Sequence, residues 1–273
     1  MPLLTLTSDF GDQDYVLGAV KGILYKHLPS FQQIDITHRL NPFNDAQAAS
    51  VVKTSLNYFP EGTFHILLSN FFQHPPDHLI LAQHQNQYLA LADNGLIGMI
   101  IDSQPETYSY ISLQHLPSRS IPDCIEELAK AISKLKTGEA WSKTENTTAQ
   151  ARHRAPLRMQ VYDDGIEGQI LYVDQFENVV VNISREEFEF HRKGRGFKIV
   201  FRRDEIIERI SHSYADVPEG EKLALFNTAG YLEIAVNKGN AAGLFGLHTY
   251  DEKNKSKYAQ SRLFYHSVKI FFE

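Results

Sequence analysis

The chain has 273 residues, ordinary apolar and charged fractions, and a formal net charge of −6, so it is long enough for one or two domains with a proper core. The acidic balance argues against a general nucleic-acid binder, and one cysteine, Cys124, leaves no intrachain disulfide and no zinc cluster built on thiolates. The longest apolar run, Leu96–Ile101, is far too short to cross a bilayer, so no membrane partner and a cytoplasmic protein are expected.

A strand is predicted at Leu3–Thr7, with no basic region or long apolar run at the N-terminus. It breaks into Asp9, Asp12 and Asp14 around Gly11, and the spacing of Val16, Leu17 and Val20 predicts a helix over about 14–27. A strand at Gln33–Ile36, a helix over 44–57 and a strand at Thr63–Leu68 follow. Apolar runs at 79–82, 87–91 and 108–113 and a helix over 121–136 complete an alternation that predicts an α/β domain with a largely parallel sheet, residues 1–140. Residues 141–157 are polar and nearly aperiodic, as in a linker. Beyond them, short strands at Gln169–Val173, Val179–Ile183, Phe197–Phe201, Leu223–Phe226, Tyr231–Val236 and Val268–Phe272, without intervening helices, predict a C-terminal all-β barrel over 158–273. The basic stretch His191–Gly196, beside alternating Phe197, Ile199 and Phe201, reads as an exposed hairpin, and no nucleic acid is expected.

The end of the first strand is where α/β proteins commonly bind small molecules. Carboxylates there suit hydroxyl groups better than phosphate, so Asp9 or Asp14 holding a ribose diol is one reading. The other is that Asp9 and Asp12 cap and face the dipole of the helix. Similar turns follow other apolar runs. In order the chain carries SDFG, DITH, YFPEGT, DNG, VDxFxN and NxxGYLEIAVNxGNA.

That joint order resembles the S-adenosylmethionine hydroxide adenosyltransferases, the family that also contains the fluorinating and chlorinating enzymes. The resemblance implies a trimer whose ligand lies between one subunit's N-terminal domain and its neighbour's C-terminal domain, and attack on the 5′-carbon of S-adenosylmethionine with release of methionine. It needs no cofactor. Asp9 matches the aspartate that binds the ribose diol, and Phe43 falls where an aromatic packs on the ligand, although an aromatic in a turn is as readily core. Ser118 falls opposite a serine near the ribose. Asp174, Phe176 and Asn178 match a trio around the methionine amine and the adenine, with a plain β-turn as the alternative. Tyr214 stands opposite an aromatic that stacks on adenine, and Thr228 where a serine is usual.

The departures fall on water activation. The activating aspartate's place is held by Asn70, the arginine's by Asp77 and the histidine's by Pro117, so no catalytic residue is assigned. His74, Asp77 and His78 lie close together and such a set can bind zinc, but Pro75-Pro76 precludes a regular helix aligning the two histidines; a solvated loop is expected, with no metal. Another loop path that brings His74, Asp77 or His78 into the catalytic place stays open. Two functions follow: an S-adenosylmethionine hydrolase that is weak or uses another nucleophile, or a catalytically silent trimer that binds adenosine or another nucleoside or merely keeps the scaffold.

Overall fold

A computed structural model describes residues 1–71, 76–103, 105, 107–136, 151–202, 205–247 and 267–273. The chain divides into two compact units, Met1–Pro156 and Leu157–Glu273.

The first unit is an α/β domain. Strands β1 (Leu3–Ser8), β2 (Gln32–Thr37), β3 (Phe64–Leu68), β4 (His78–His84), β5 (Gln87–Ala92) and β6 (Thr107–Ser112) form one sheet in the order β2-β1-β3-β5-β4-β6. The pairings β1 with β2, β1 with β3 and β3 with β5 are parallel, and β4 is antiparallel to β5 and β6. Alternation within the strands decides the layers. Leu4, Leu6, Ile66 and Leu68 face the helices α1 (Tyr15–His27) and α4 (Ile121–Lys136), packing on Val20, Leu24, Cys124, Ile125 and Leu128. Leu67, Ile80, Ala82 and Leu91 face the opposite layer, α2 (Asp45–Leu56) and α3 (Leu96–Ile100). The apolar run Leu96–Ile101 is therefore a short buried helix entered through Gly95 at φ 93°. Buried His65 is held between Thr5 Oγ1 (2.8 Å) and Gln87 Oε1 (2.7 Å).

This strand order places a switch point at the sheet's carboxyl edge. From β1 the chain crosses to β2 on one side; from β2 it returns to β3 on the other side of β1. The crevice beyond β1 and β3 is the favoured ligand position of such sheets.

The second unit is all-antiparallel among its named strands: β7 (Gln160–Tyr162), β8 (Gly165–Val173), β9 (Val179–Ser184), β10 (Phe197–Arg202), β11 (Glu205–Ile207), β12 (Lys222–Phe226), β13 (Tyr231–Val236) and β14 (Ser267–Phe272). Their order is β11-β10-β14-β8-β9-β13-β12, with β7 on β8. The sheet nearly closes on itself, because a bridge joins Ile210 to Ala224 on β12 and Ser211 N–H donates to Ala224 O at 2.7 Å.

Helices do intervene in this unit, against expectation. Helix α5 (Arg185–Arg192) starts on a reciprocal Ser184/Glu187 capping box and buries Phe188 fully. Phe188 meets Phe197, Phe226 and Phe272 with ring centroids 5.1, 5.4 and 6.1 Å away. A single turn at Tyr214–Asp216 and helix α6 (Ala241–Leu244) are further additions. The expected basic hairpin is instead the end of α5. Lys193 and Gly194 turn the chain through left-handed conformations (φ 53° and 78°), and the guanidinium groups of Arg192 and Arg195 lie over the rings of Phe197 and Phe272.

Residues 141–150 of the expected linker lie outside the described residues, while its later part belongs to the first unit: Arg152 N–H donates to Asp93 and Arg154 N–H to Gly95 O, at 2.9 and 3.1 Å. Among the described residues no helix is long and apolar enough to cross a membrane.

Candidate functional site

Beyond β1, the chain turns at Asp9. Its N–H donates to Leu68 O at 3.3 Å, and its Oδ2 accepts Asn70 N–H at 2.8 Å, so the ends of β1 and β3 are stitched together at the switch point. Asp9 Oδ1 is buried with no hydrogen-bond partner among the described residues. Burial pushes the Asp9 carboxyl above its ordinary range; the amide donors of Asn70 and Asp9 itself work against this, and the nearby Asp45 charge adds to it.

Asn70 adopts a left-handed conformation (φ 60°) in which both ends of its amide are used. Oδ1 accepts Phe43 N–H and Nδ2 donates to Asp45 Oδ1, both at 3.0 Å. Asp45 also pairs with Arg154. Phe43, itself at φ 66°, is 53% exposed, so it is a surface aromatic and not core. Asp9, Phe43 and Asn70 thus converge, and Asp45 and Arg154, missed in the sequence, complete their network.

Asp14 and Ser118 are engaged at helix starts. Asp14 is the N-cap of α1, its Oδ1 accepting Val16 N–H at 2.8 Å, while Asp12 pairs with Arg39. Ser118 Oγ donates to Asp123 Oδ2 at 2.6 Å, in the first turn of α4. Asp77 forms an ion pair with Arg119 at 2.5 Å, joining the residue before β4 to the turn that leads into α4. His74 lies outside the described residues, and among those described no three His, Cys, Asp or Glu side chains are grouped to hold a metal ion.

The second unit holds an open cleft of about 480 Å³ whose lining includes Asp174, Phe176, Tyr214, Thr228 and Glu233. Asp174 organises the turn before β9: its Oδ1 accepts the N–H groups of Phe176 (2.8 Å) and Asn178 (2.9 Å), as the β-turn reading requires. The same turn leaves Phe176 exposed and Asn178 buried, with Asn178 Nδ2 reaching Asp174 Oδ2 at 3.2 Å and Tyr214 Oη at 3.4 Å. Tyr214 Oη donates to Glu233 Oε1 at 2.5 Å. Glu233, 3% exposed, is a further residue the sequence reading passed over; the signal was a lone acid inside the apolar strand Tyr231–Val236, which must find a partner. Burial raises its pKa, with the Asp174 charge adding and Tyr214 and Asn227 opposing. Burial and the same two carboxylates also push the Tyr172 phenol up to about 12.

Each unit thus carries its own cluster of polar and aromatic side chains, around Asp9 and Asn70 in the first and around Asp174 and Glu233 in the second. Each unit matches a family model: residues 4–142 the S-adenosylmethionine (SAM) hydroxide adenosyltransferase N-terminal domain, residues 168–253 the C-terminal domain. The chain is 26% identical over 263 residues to the (R)-S-adenosyl-L-methionine hydrolase of Methanocaldococcus jannaschii, covering 92% of this chain and 95% of that protein. It is 22% identical over 281 residues to the fluorinase of Actinopolyspora mzabensis, covering 90% and 94%. A crystal structure of an uncharacterized conserved protein from Thermotoga maritima shares the fold, with a TM-score of 0.76 over 99% of both chains at 22% identity. With both domains matched in order across most of its length, this chain belongs to the SAM hydroxide adenosyltransferase family.

Proposed function

We propose that the protein binds S-adenosylmethionine or adenosine, and that its hydrolysis of S-adenosylmethionine to adenosine and methionine is weak or lost. Asp9 accepts from the ribose hydroxyls, and Phe43 packs on the ligand. Asp174, Phe176, Asn178, Tyr214 and Thr228 receive the methionine amine and the adenine. The site is shared between the first unit of one subunit and the second unit of its neighbour in a cytoplasmic homotrimer, with Asp14 and Ser118 at its edge. The (R)-S-adenosyl-L-methionine hydrolases among its relatives support this substrate class.

The observation that carries the loss of hydrolysis is the state of Asn70. A sulfonium leaves as a neutral thioether, so the chemical demand falls on water, which must lose a proton as it attacks. An amide is no base at neutral pH, and this one already spends its oxygen on Phe43 and its nitrogen on Asp45. Pro117 offers no base, and Asp77 is taken up in its ion pair with Arg119. Loss of a general base typically costs about 10²–10⁴ in rate. The test is calorimetry with adenosine and with S-adenosylmethionine, followed by chromatography of adenosine release against a buffer blank. Binding with little or no release is expected. Turnover of about 1 s⁻¹ or faster, an ordinary enzyme's rate, overturns the loss of hydrolysis. No binding of either compound at millimolar concentration overturns the ligand.

A further inference from the structure

The turn that carries Asp9 is held by one side chain that neither its motif nor its relatives' names point to. His38 follows β2 and is 8% exposed; Ser8, the residue before Asp9, is 1% exposed. His38 Nδ1 and Ser8 Oγ are hydrogen-bonded at 2.8 Å. The backbone of His38 takes the far side of the same turn, its carbonyl accepting Gly11 N–H at 2.8 Å, where Gly11 is at φ 75°. Leu40 N–H adds a bond to Ser8 O at 3.3 Å. Residues 8 and 11 are thus tied to one histidine, with Asp9 between them.

The histidine has a further neighbour. His38 Nε2 stands 3.2 Å from Asp35 Oδ1, off hydrogen-bond alignment. Asp35 Oδ2 accepts from Lys21 Nζ at 2.5 Å, and Lys21 sits on α1, the helix that the Asp9 turn feeds. The chain of contacts Ser8, His38, Asp35, Lys21 therefore links the entry of the turn, the end of β2 and the departing helix. Ser8 is too deeply buried to meet a substrate, so a nucleophilic role for this serine and histidine is excluded; what they govern is where Asp9 points.

We infer that His38 is the positioning residue of the nucleoside site: by holding Ser8 Oγ and Gly11 N–H it fixes the Asp9 carboxylate where two vicinal hydroxyls can reach it. The inference rests on the nucleoside reading above. Only the ribose 2′,3′-diol needs Asp9 in that place, so the signature is discrimination between adenosine and 2′-deoxyadenosine and not affinity in general.

The experiment measures both dissociation constants by calorimetry for the full-length protein and its D9A, H38A, H38N and S8A variants, with thermal melting to confirm that each is folded. The wild type is expected to prefer adenosine, and D9A to lose the preference. H38A and S8A are expected to lose about tenfold in adenosine affinity, the scale of one well-placed hydrogen bond, with 2′-deoxyadenosine nearly unchanged. H38N, whose amide reaches the region of the ring's Nδ1, is expected to restore much of the preference. A folded H38A that keeps the full preference while D9A loses it overturns the inference and leaves the nucleoside reading standing. A wild type that binds neither nucleoside overturns that reading instead. The inference is then decided without ligand, by hydrogen exchange at Asn70 N–H, the donor to Asp9. Faster exchange there in H38A or S8A, with the strand amides unchanged, supports it; unchanged exchange overturns it.

Discussion

Asp9 meets two opposed demands. Holding a diol needs an anion, yet burial and the Asp45 charge favour the neutral acid. With its pKa raised in the folded state, Asp9 binds its proton more readily folded than unfolded, so its ionisation costs stability as pH rises through the folded value. Two outcomes follow from this sign. D9A should weaken adenosine binding by about 1–3 kcal/mol, the usual cost of leaving hydroxyl partners unpaired. Wild-type affinity should fall on acidification through a midpoint above the ordinary 3.8, while D9A shows no such limb; calorimetry across pH 4–7 (roughly the range around and above a carboxyl's usual titration) reads both. At Asn70 the expectation is negative. N70D should not restore hydrolysis, because the new carboxylate would face Asp45, to which the amide now donates, with Asp9 beside it. A loss of about 1–3 kcal/mol in urea unfolding and no adenosine release are expected; rapid release would show that this position can still host the base. Of the proposed site's first half, Asp9 lay in a quoted turn at a strand end, and Phe43 and Asn70 were reached through the resemblance; the structure brings the three together. Asp45 and Arg154 were not legible, because their meeting spans 109 residues and nothing local marks it.

Among the elements, α1, α2 and α4 of the first unit were readable from the sequence, whereas the five-residue α3 was read only as an apolar run. In α4 the buried positions Cys124, Ile125, Leu128, Ala129 and Ile132 keep one face over about two and a half turns. Helix α5 escaped because its eight residues bury only Phe188, too few for a period to register. Its start was nevertheless written in the sequence as Ser184-x-x-Glu187, a capping box. Small as it is, α5 supplies the aromatic centre of the barrel. F188A should cost about 3–5 kcal/mol, the range for deleting a buried phenylalanine, read as an earlier denaturation of the second unit. A loss below about 1 kcal/mol would mean that Phe197, Phe226 and Phe272 collapse into the space without it.

For the whole molecule, the proposed sharing of the ligand site between the first unit of one chain and the second unit of another requires neighbouring chains. Light scattering should report three chain masses, from a heterologous interface that closes into a ring. A single chain mass, at concentrations where specific interfaces persist, would remove both the trimer and the shared site. By itself the sequence determined the two classes of structure, the family, and the turns that bear Asp9, Asp174 and Asn227, because strand alternation, helical period and turn residues are local properties of the chain. Only the tertiary structure decided that Asn70 is locked between Phe43 and Asp45, that Glu233 meets Tyr214, and that His38 clasps the Asp9 turn. Each of those depends on which strands become neighbours. The order β2-β1-β3 brings residues 8, 38 and 70 to one sheet edge, and strand order is a property of the folded whole that no local stretch of sequence encodes.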